Sequence, residues 1–213
     1  TATIIGSGWQ AGAQLMGLLA VRPEIQTIRV FSPNSAHVEA FCREWGSQLE
    51  QKFCAFRSIV DAVRGADVVL CATSSIDPVF ESDYFEPGMH VGSIKPPEIS
   101  KEGLDLADRV CVHLGHGKPA LVQADNLVVP DHSGERGWKM SDAFDFSSCT
   151  TLPELVSGSV CGRADNAERT CFVNDLGLGL QFAVVAGVTL RLAESAGVGQ
   201  VLATELFTQI EHP

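Results

Sequence analysis

A strand that ends in a glycine turn and opens at once into a helix leaves few folds available. "TATIIGSGWQAGAQL" has this form: a short β-branched strand, the turn Gly6-Ser7-Gly8, then a helical pattern. In the spacing Gly6-x-Gly8-x-x-Ala11 the first glycine permits the tight turn, and the second lets a pyrophosphate approach the backbone. Ala11 keeps the helix close to the sheet, and the helix N-terminus offers N–H groups and a positive dipole end to phosphate. The context of strand, turn and helix favours a dinucleotide site over the alternatives, a turn required only for packing or a methyltransferase-type loop. The candidate phosphate-facing residues of the turn are Gly6, Ser7 and Gly8.

The rest of the first half repeats the strand–helix alternation. "TIRVF", "KFCAF", "DVVLCAT", "GMHVGSI" and "DRVCVH" read as strands. Between the first of them lie helical patterns: "SAHVEAFCREWG", with Ser35 as expected N-cap, and "SIVDAVRGA". Nearly continuous apolar strands separated by helices predict a parallel sheet covered on both faces, a Rossmann-type doubly wound α/β fold. From about Leu114 to Thr150 no period is sustained, and a long connection around one short strand is expected. "TLPELVSG" and "NDLGLGLQFAVVAGVTLRLAESAG" predict two further helices, the second apolar around most of its girth and therefore buried on several sides. The expected division is a dinucleotide-binding domain over residues 1–150 and a C-terminal helical segment over 151–213.

Fifteen Lys and Arg against 26 Asp and Glu give a net charge of −11 in 213 residues. Such a surface repels nucleic-acid backbones and anionic lipid, so neither nucleic acid nor a membrane is an expected partner. "FVNDLGLGLQFAVVAGVTL" is broken by Asn174, Asp175 and Gln181 and is too short in uninterrupted apolar length to span a bilayer. Seven scattered cysteines with no metal-ligand spacing predict reduced, buried thiols in a cytoplasmic protein and no metal site.

Strand ends supply the other candidates, because ligands of open α/β sheets bind beyond the carboxyl ends of the strands. After the second strand, "VFSPNSAH" places Ser32 where an acid would select NAD. With no acid to repel a 2′-phosphate, and with Ser32 and Asn34 able to bond one, the reading leans to NADP over NAD. Cap and turn chemistry explains Asn34 equally well. Thr73 and Ser74 end the fourth strand and Ser93 the fifth, all beneath the expected cofactor. Lys95 follows, either as a charge in the crevice or as a solvated loop residue.

With these residues in place, the chain resembles the ornithine cyclodeaminase/mu-crystallin family over almost all of its length. "GSGWQAGAQLMGLLAVRP", "GADVVLCATSS", "PVFESDYFEPGMHVGSI", "LADRVCVH" and "ELVSGSVCGR" followed by "TCFVNDLGLGLQFAVVAGVTLRLAESAGVG" carry the likeness. The ending "ATELFTQIEHP" is similar to an ornithine cyclodeaminase-like, tyramine oxidase subunit-like subset. The resemblance implies hydride transfer between a nicotinamide and the Cα of an amino or imino acid, in a homodimer. It implies that Gly6, Gly8, Trp9 and Gln10 lie on the pyrophosphate and that Asp175 and Leu176 lie beside the nicotinamide; Lys95, from its place after the fifth strand, and Asp175 are the catalytic candidates. It also implies a second, substrate-binding and dimerisation lobe, whose C-terminal part is the last helix and whose N-terminal part lies outside these residues. In one respect the chain departs from the pattern. The family's cyclodeaminases carry "GD-x-PGK-x-E" after the fifth strand, and here "SIKPPEIS" has no Asp, which counts against ornithine cyclisation. The alternative implied function is a non-catalytic dinucleotide- or ligand-binding subunit of the mu-crystallin type.

Overall fold

The computed structural model describes residues 1–113, 144–174, 179–203 and 205. Eight parallel strands form one sheet in the order β3-β2-β1-β4-β5-β8-β6-β7. The strands are β1 (Ala2–Ile5), β2 (Thr27–Phe31), β3 (Lys52–Phe56), β4 (Val68–Cys71), β5 (His90–Ser93), β6 (Arg109–Val112), β7 (Thr150–Thr151) and β8 (Thr170–Val173). The helices between them are α1 (Trp9–Val21), α2 (Ser35–Gly46), α3 (Ile59–Val63), α4 (Lys101–Leu106) and α5 (Leu152–Ser157). The order reverses between β1 and β4, as the doubly wound expectation requires.

Each central strand is apolar on both sides because the sheet is packed on both sides. Ile5, Val69, Cys71, Val91 and Val173 meet Phe80, Phe85, Met89 and Leu104 in one cluster. Their chain neighbours Ile4, Leu70 and Ala72, with Ile28 and Val30, pack on Ala11, Leu15, Val38 and Phe41 in the other. Ile4 and Ile5 thus serve opposite faces, the period-2 alternation of a strand buried on both faces.

The chain divides into two compact units, Thr1–Leu176 and Gly177–Pro213. The expected boundary at residue 150 differs from this division. β8, in the run "TCFV", inserts between β5 and β6 in register His90↔Thr170 and Arg109↔Thr170. Its Cys171 and Val173 are buried, so the chain returns to the first core after α5. In the second unit the described helix is α6 (Gly179–Ala196). Burial of α6 on several sides is not observed: Val184, Val185, Val188, Leu190 and Leu192 are exposed. An 18-residue helix cannot bury its own girth. Among the described residues, no helix is long and apolar enough to cross a membrane.

Two smaller expectations also change. Asn34, not Ser35, caps α2: its Oδ1 accepts from the N–H groups of Ala36 (3.1 Å) and His37 (3.2 Å). Asn fits this role because its short side chain reaches back to the first free donors of the helix. None of the cysteines is in a disulfide, but only Cys71, Cys111 and Cys171 are buried, and Cys161 is exposed. Burial, with Cys149 as a lesser cause, pushes the Cys171 thiol up to about 12, which keeps it an inert thiol.

Candidate functional site

The carboxyl ends of β1, β4 and β5 converge on the glycine turn. Gly6 N–H donates to the Phe31 carbonyl at 2.8 Å, which ties the turn to the end of β2 and to Ser32 just beyond it. Gly6 has φ +118°, and a Cβ there would lie 2.2 Å from the Ala72 carbonyl oxygen. Glycine is therefore demanded by the protein itself at this position. Gly8 is different. Its backbone is extended (φ −99°), and a Cβ there would meet nothing within 4 Å. Neither conformation nor packing explains a glycine at position 8, and the absence of a Cβ there leaves room for a phosphate to approach the backbone.

Gly8 is also the N-cap of α1, with no side-chain cap and no acidic residue in the first turn. The first N–H groups of a 13-residue helix are thus left for an anion. Trp9 is 99% exposed, and Gln10 is exposed beside it. The residues present fit a pyrophosphate at this turn.

The floor of the crevice is organised by a residue that sequence reasoning missed. Glu98 is fully buried (0% exposed) in the short 3-10 turn Pro96–Glu98. Its Oε1 accepts from Thr73 N–H (2.7 Å) and Thr73 Oγ1–H (2.8 Å). Its Oε2 accepts from Ile94 N–H (3.0 Å) and lies 3.2 Å from Ser93 Oγ. The single Ser93 hydroxyl proton also reaches the Lys95 carbonyl. The available signal was the acid that ends "SIKPPE", which also ends the motif quoted from the family.

The predicted residues fall into three groups. Gly6, Ser7, Gly8, Ser32, Thr73, Ser74 and Ser93 lie at carboxyl strand ends or on the turn that follows β1, and Trp9 and Gln10 are the first residues of α1. The Asn34 side-chain oxygen is committed to capping α2. Lys95 is only 5% exposed, which removes the solvated-loop reading, and its Nζ donates to the Ser75 carbonyl. Asp175 and Leu176 lie outside the described residues. Asn174, the residue before them, donates from its N–H to the Ser93 carbonyl (3.0 Å) and from Nδ2 to the Ile94 carbonyl (3.4 Å).

A large cavity of about 990 Å³ lies elsewhere, lined by residues that include Gln14, Arg22, Asp67, His90 and Arg163. It borders the amino ends of β4, β5 and β8, where ligands of parallel sheets are not held. Its size does not outweigh the chemistry at the opposite ends of the same strands.

Known proteins show the same arrangement of chain. An uncharacterized cyclodeaminase of Sinorhizobium fredii is 30% identical over 205 residues, covering 94% of this chain and 58% of that protein. A Delta(1)-pyrroline-2-carboxylate reductase of Bacillus cereus is 28% identical over 204 residues, 93% of this chain and 59% of that one. The Thermococcus litoralis Delta(1)-pyrroline-2-carboxylate reductase, solved with NADH and L-proline, superposes with a TM-score of 0.76 at 26% identity, covering 94% of this chain and 60% of that chain. The chain thus spans less than two thirds of the length of these relatives. Residues 1–189 match the ornithine cyclodeaminase/mu-crystallin family, and the chain belongs to that family.

Proposed function

We propose that this chain is the dinucleotide-binding part of an NAD(P)-dependent oxidoreductase acting at the Cα of an amino or imino acid. The observation that carries the reading is Gly8, a glycine with no structural need of its own at the uncapped start of α1. The relatives' names supply the substrate class: two are reductases of a cyclic imino acid, and one was solved with NADH. The nicotinamide, when bound, supplies or accepts the hydride. The chain's own residues position it: the glycine turn and α1 hold the pyrophosphate, Ser32 faces the adenosine ribose, and Thr73, Ser74 and Ser93 lie under the cofactor. Ser32 in place of an acid leaves room for a 2′-phosphate, so NADP is the favoured form.

Lys95 and Asp175 are the proposed substrate-handling pair. Asn174, the residue before Asp175 in sequence, is bonded to the carbonyls of Ser93 and Ile94, next to Lys95. A lysine held charged pairs the substrate carboxylate, and an acid beside it favours that charged state. The apolar girth of α6 is the proposed contact with the second lobe and with a second copy of the chain.

Lys95→Met, assayed by NAD(P)H oxidation with Δ1-pyrroline-2-carboxylate, should keep cofactor affinity and lose turnover about a hundredfold, the scale of one lost charge-assisted contact. Full turnover in that variant removes Lys95 from the mechanism. The second reading is a non-catalytic dinucleotide-binding subunit. It is favoured by the missing Asp in "SIKPPEIS" and by the Lys95 bond to Ser75. NAD(P)H binding by the native protein with no imine reduction selects it.

A further inference from the structure

We propose that Glu98 is a positioning residue for the dinucleotide: it touches no cofactor atom but fixes the side chain and peptide of Thr73 against the glycine turn. The inference rests on the dinucleotide reading above and concerns a residue that reading does not use.

The geometry is a short relay. Both donors of Thr73, its N–H and its hydroxyl, go to one carboxylate oxygen of Glu98. The Thr73 hydroxyl also accepts from Ser75 N–H at 3.2 Å. The hydroxyl is therefore committed inward, and the methyl faces the other way. That methyl, Cγ2, lies 3.6 Å from where a Cβ of Gly6 would stand, and the preceding Ala72 carbonyl lies at 2.2 Å from the same point. Thr73 thus offers the glycine turn a methyl wall rather than a hydroxyl donor. The other carboxylate oxygen of Glu98 accepts from Ile94 N–H, so one buried acid joins the ends of β4 and β5 beneath the crevice. The backbone of Glu98 is itself anchored: its carbonyl accepts from Val79 (2.9 Å) and Phe80 (3.0 Å).

A carboxylate suits this place because it accepts on both oxygens. An amide cannot replace it. Whichever way Gln is turned, its NH2 faces a backbone N–H, either that of Thr73 or that of Ile94, and a buried donor is left without an acceptor. The methyl wall then loses its fixed position.

The test is a double-mutant cycle in NADH affinity, read by fluorescence well below each variant's unfolding midpoint. Glu98→Gln and Thr73→Val should each weaken NADH binding about tenfold. The double variant should bind no more than about threefold worse than the weaker single, because both break the same link. A role limited to fold stability lowers the unfolding midpoint but produces no coupling in affinity. Native affinity in Glu98→Gln, or a double variant equal to the product of the singles, overturns the proposal. Should Glu98→Gln not fold, Thr73→Val alone carries the test: it keeps a methyl on Cβ but loses the hydroxyl bond to Glu98, and native NADH affinity in the folded variant overturns the proposal. A native protein that binds no NADH overturns the dinucleotide reading and this inference together. Native binding with an unaffected Glu98→Gln overturns this inference alone.

Discussion

The two ends of the same parallel sheet are built for different tasks. At the amino ends, the side chains of Arg163, Thr170, His90 and Arg169 are paired, while Arg109 Nε at the start of β6 is buried with no hydrogen-bond partner among the described residues. Arg163 donates to the Gly88 carbonyl (2.7 Å) and to Thr170 Oγ1 (3.0 Å), and Thr170 Oγ1 meets His90 Nδ1 at 2.8 Å. Arg169 Nε donates to the Phe85 carbonyl at 3.0 Å, and its own N–H donates to Asp108 at 2.8 Å. At the carboxyl ends the buried polar groups also pair, around Glu98, but above them the chain stops short of satisfying itself. α1 starts without a side-chain cap, and Gly8 leaves open space where any other residue would place a Cβ. What distinguishes the carboxyl end is therefore a helix start whose first N–H groups carry no side-chain cap, which is why it is the proposed ligand end.

That contrast can be broken first at Gly6, which belongs to the fold although it sits at the ligand end. Gly6→Ala forces a Cβ into the Ala72 carbonyl at φ +118°. The cost should be about 3 kcal/mol or more, a fall of roughly 10 °C in the unfolding midpoint. A midpoint unchanged by calorimetry would show that the turn relaxes freely.

The amino end makes a pH prediction. Burial, with the Arg163 charge as the lesser cause, lowers His90 from 6.5 to about 4. Thr170, accepting from Arg163, can give its own proton to a neutral His90 Nδ1. Between pH 6.5 and 4 the unfolded chain binds a proton that the folded chain refuses. The His90 contribution is therefore complete above pH 6.5 and is lost as the pH falls toward 4. Allowing for partial exposure of the ring, the loss should be about 2 kcal/mol. His90→Gln should flatten that part of the profile of midpoint against pH, and parallel profiles for the two proteins would contradict the assignment.

The smallest expected effect sharpens the ligand end. Ser32→Asp sets a carboxylate beyond β2, beside the glycine turn. The NADP/NAD affinity ratio should fall about tenfold, or about 1.4 kcal/mol, in paired titrations. An unmoved ratio places the ribose away from Ser32.

What was legible in the sequence followed from periodicity and turn chemistry. Ile4 and Ile5, buried on opposite faces, are the kind of pair that makes an apolar run readable as a parallel strand. The glycine turn was readable because its chemistry is local. β8 was less so: "TCFV" is four residues long, and only its pairing with β5 and β6, far away in sequence, makes it a strand. Glu98 was hidden for a related reason. An acid after two prolines reads as surface, and its burial depends on donors from Thr73, Ser93 and Ile94 that arrive from two other strand ends. The exposure of α6 was not legible either, because an apolar helix announces that it needs a cover without saying what supplies it.

The central claim, a dinucleotide on the Gly8 backbone, is tested most directly by titrating NADH into the native protein and Gly8→Val with unfolding midpoints measured alongside. Because a Cβ at Gly8 meets nothing of the protein within 4 Å, the account predicts a midpoint within a degree or two of native and NADH binding weakened at least a hundredfold. NADH affinity equal to native in a folded Gly8→Val protein would contradict it.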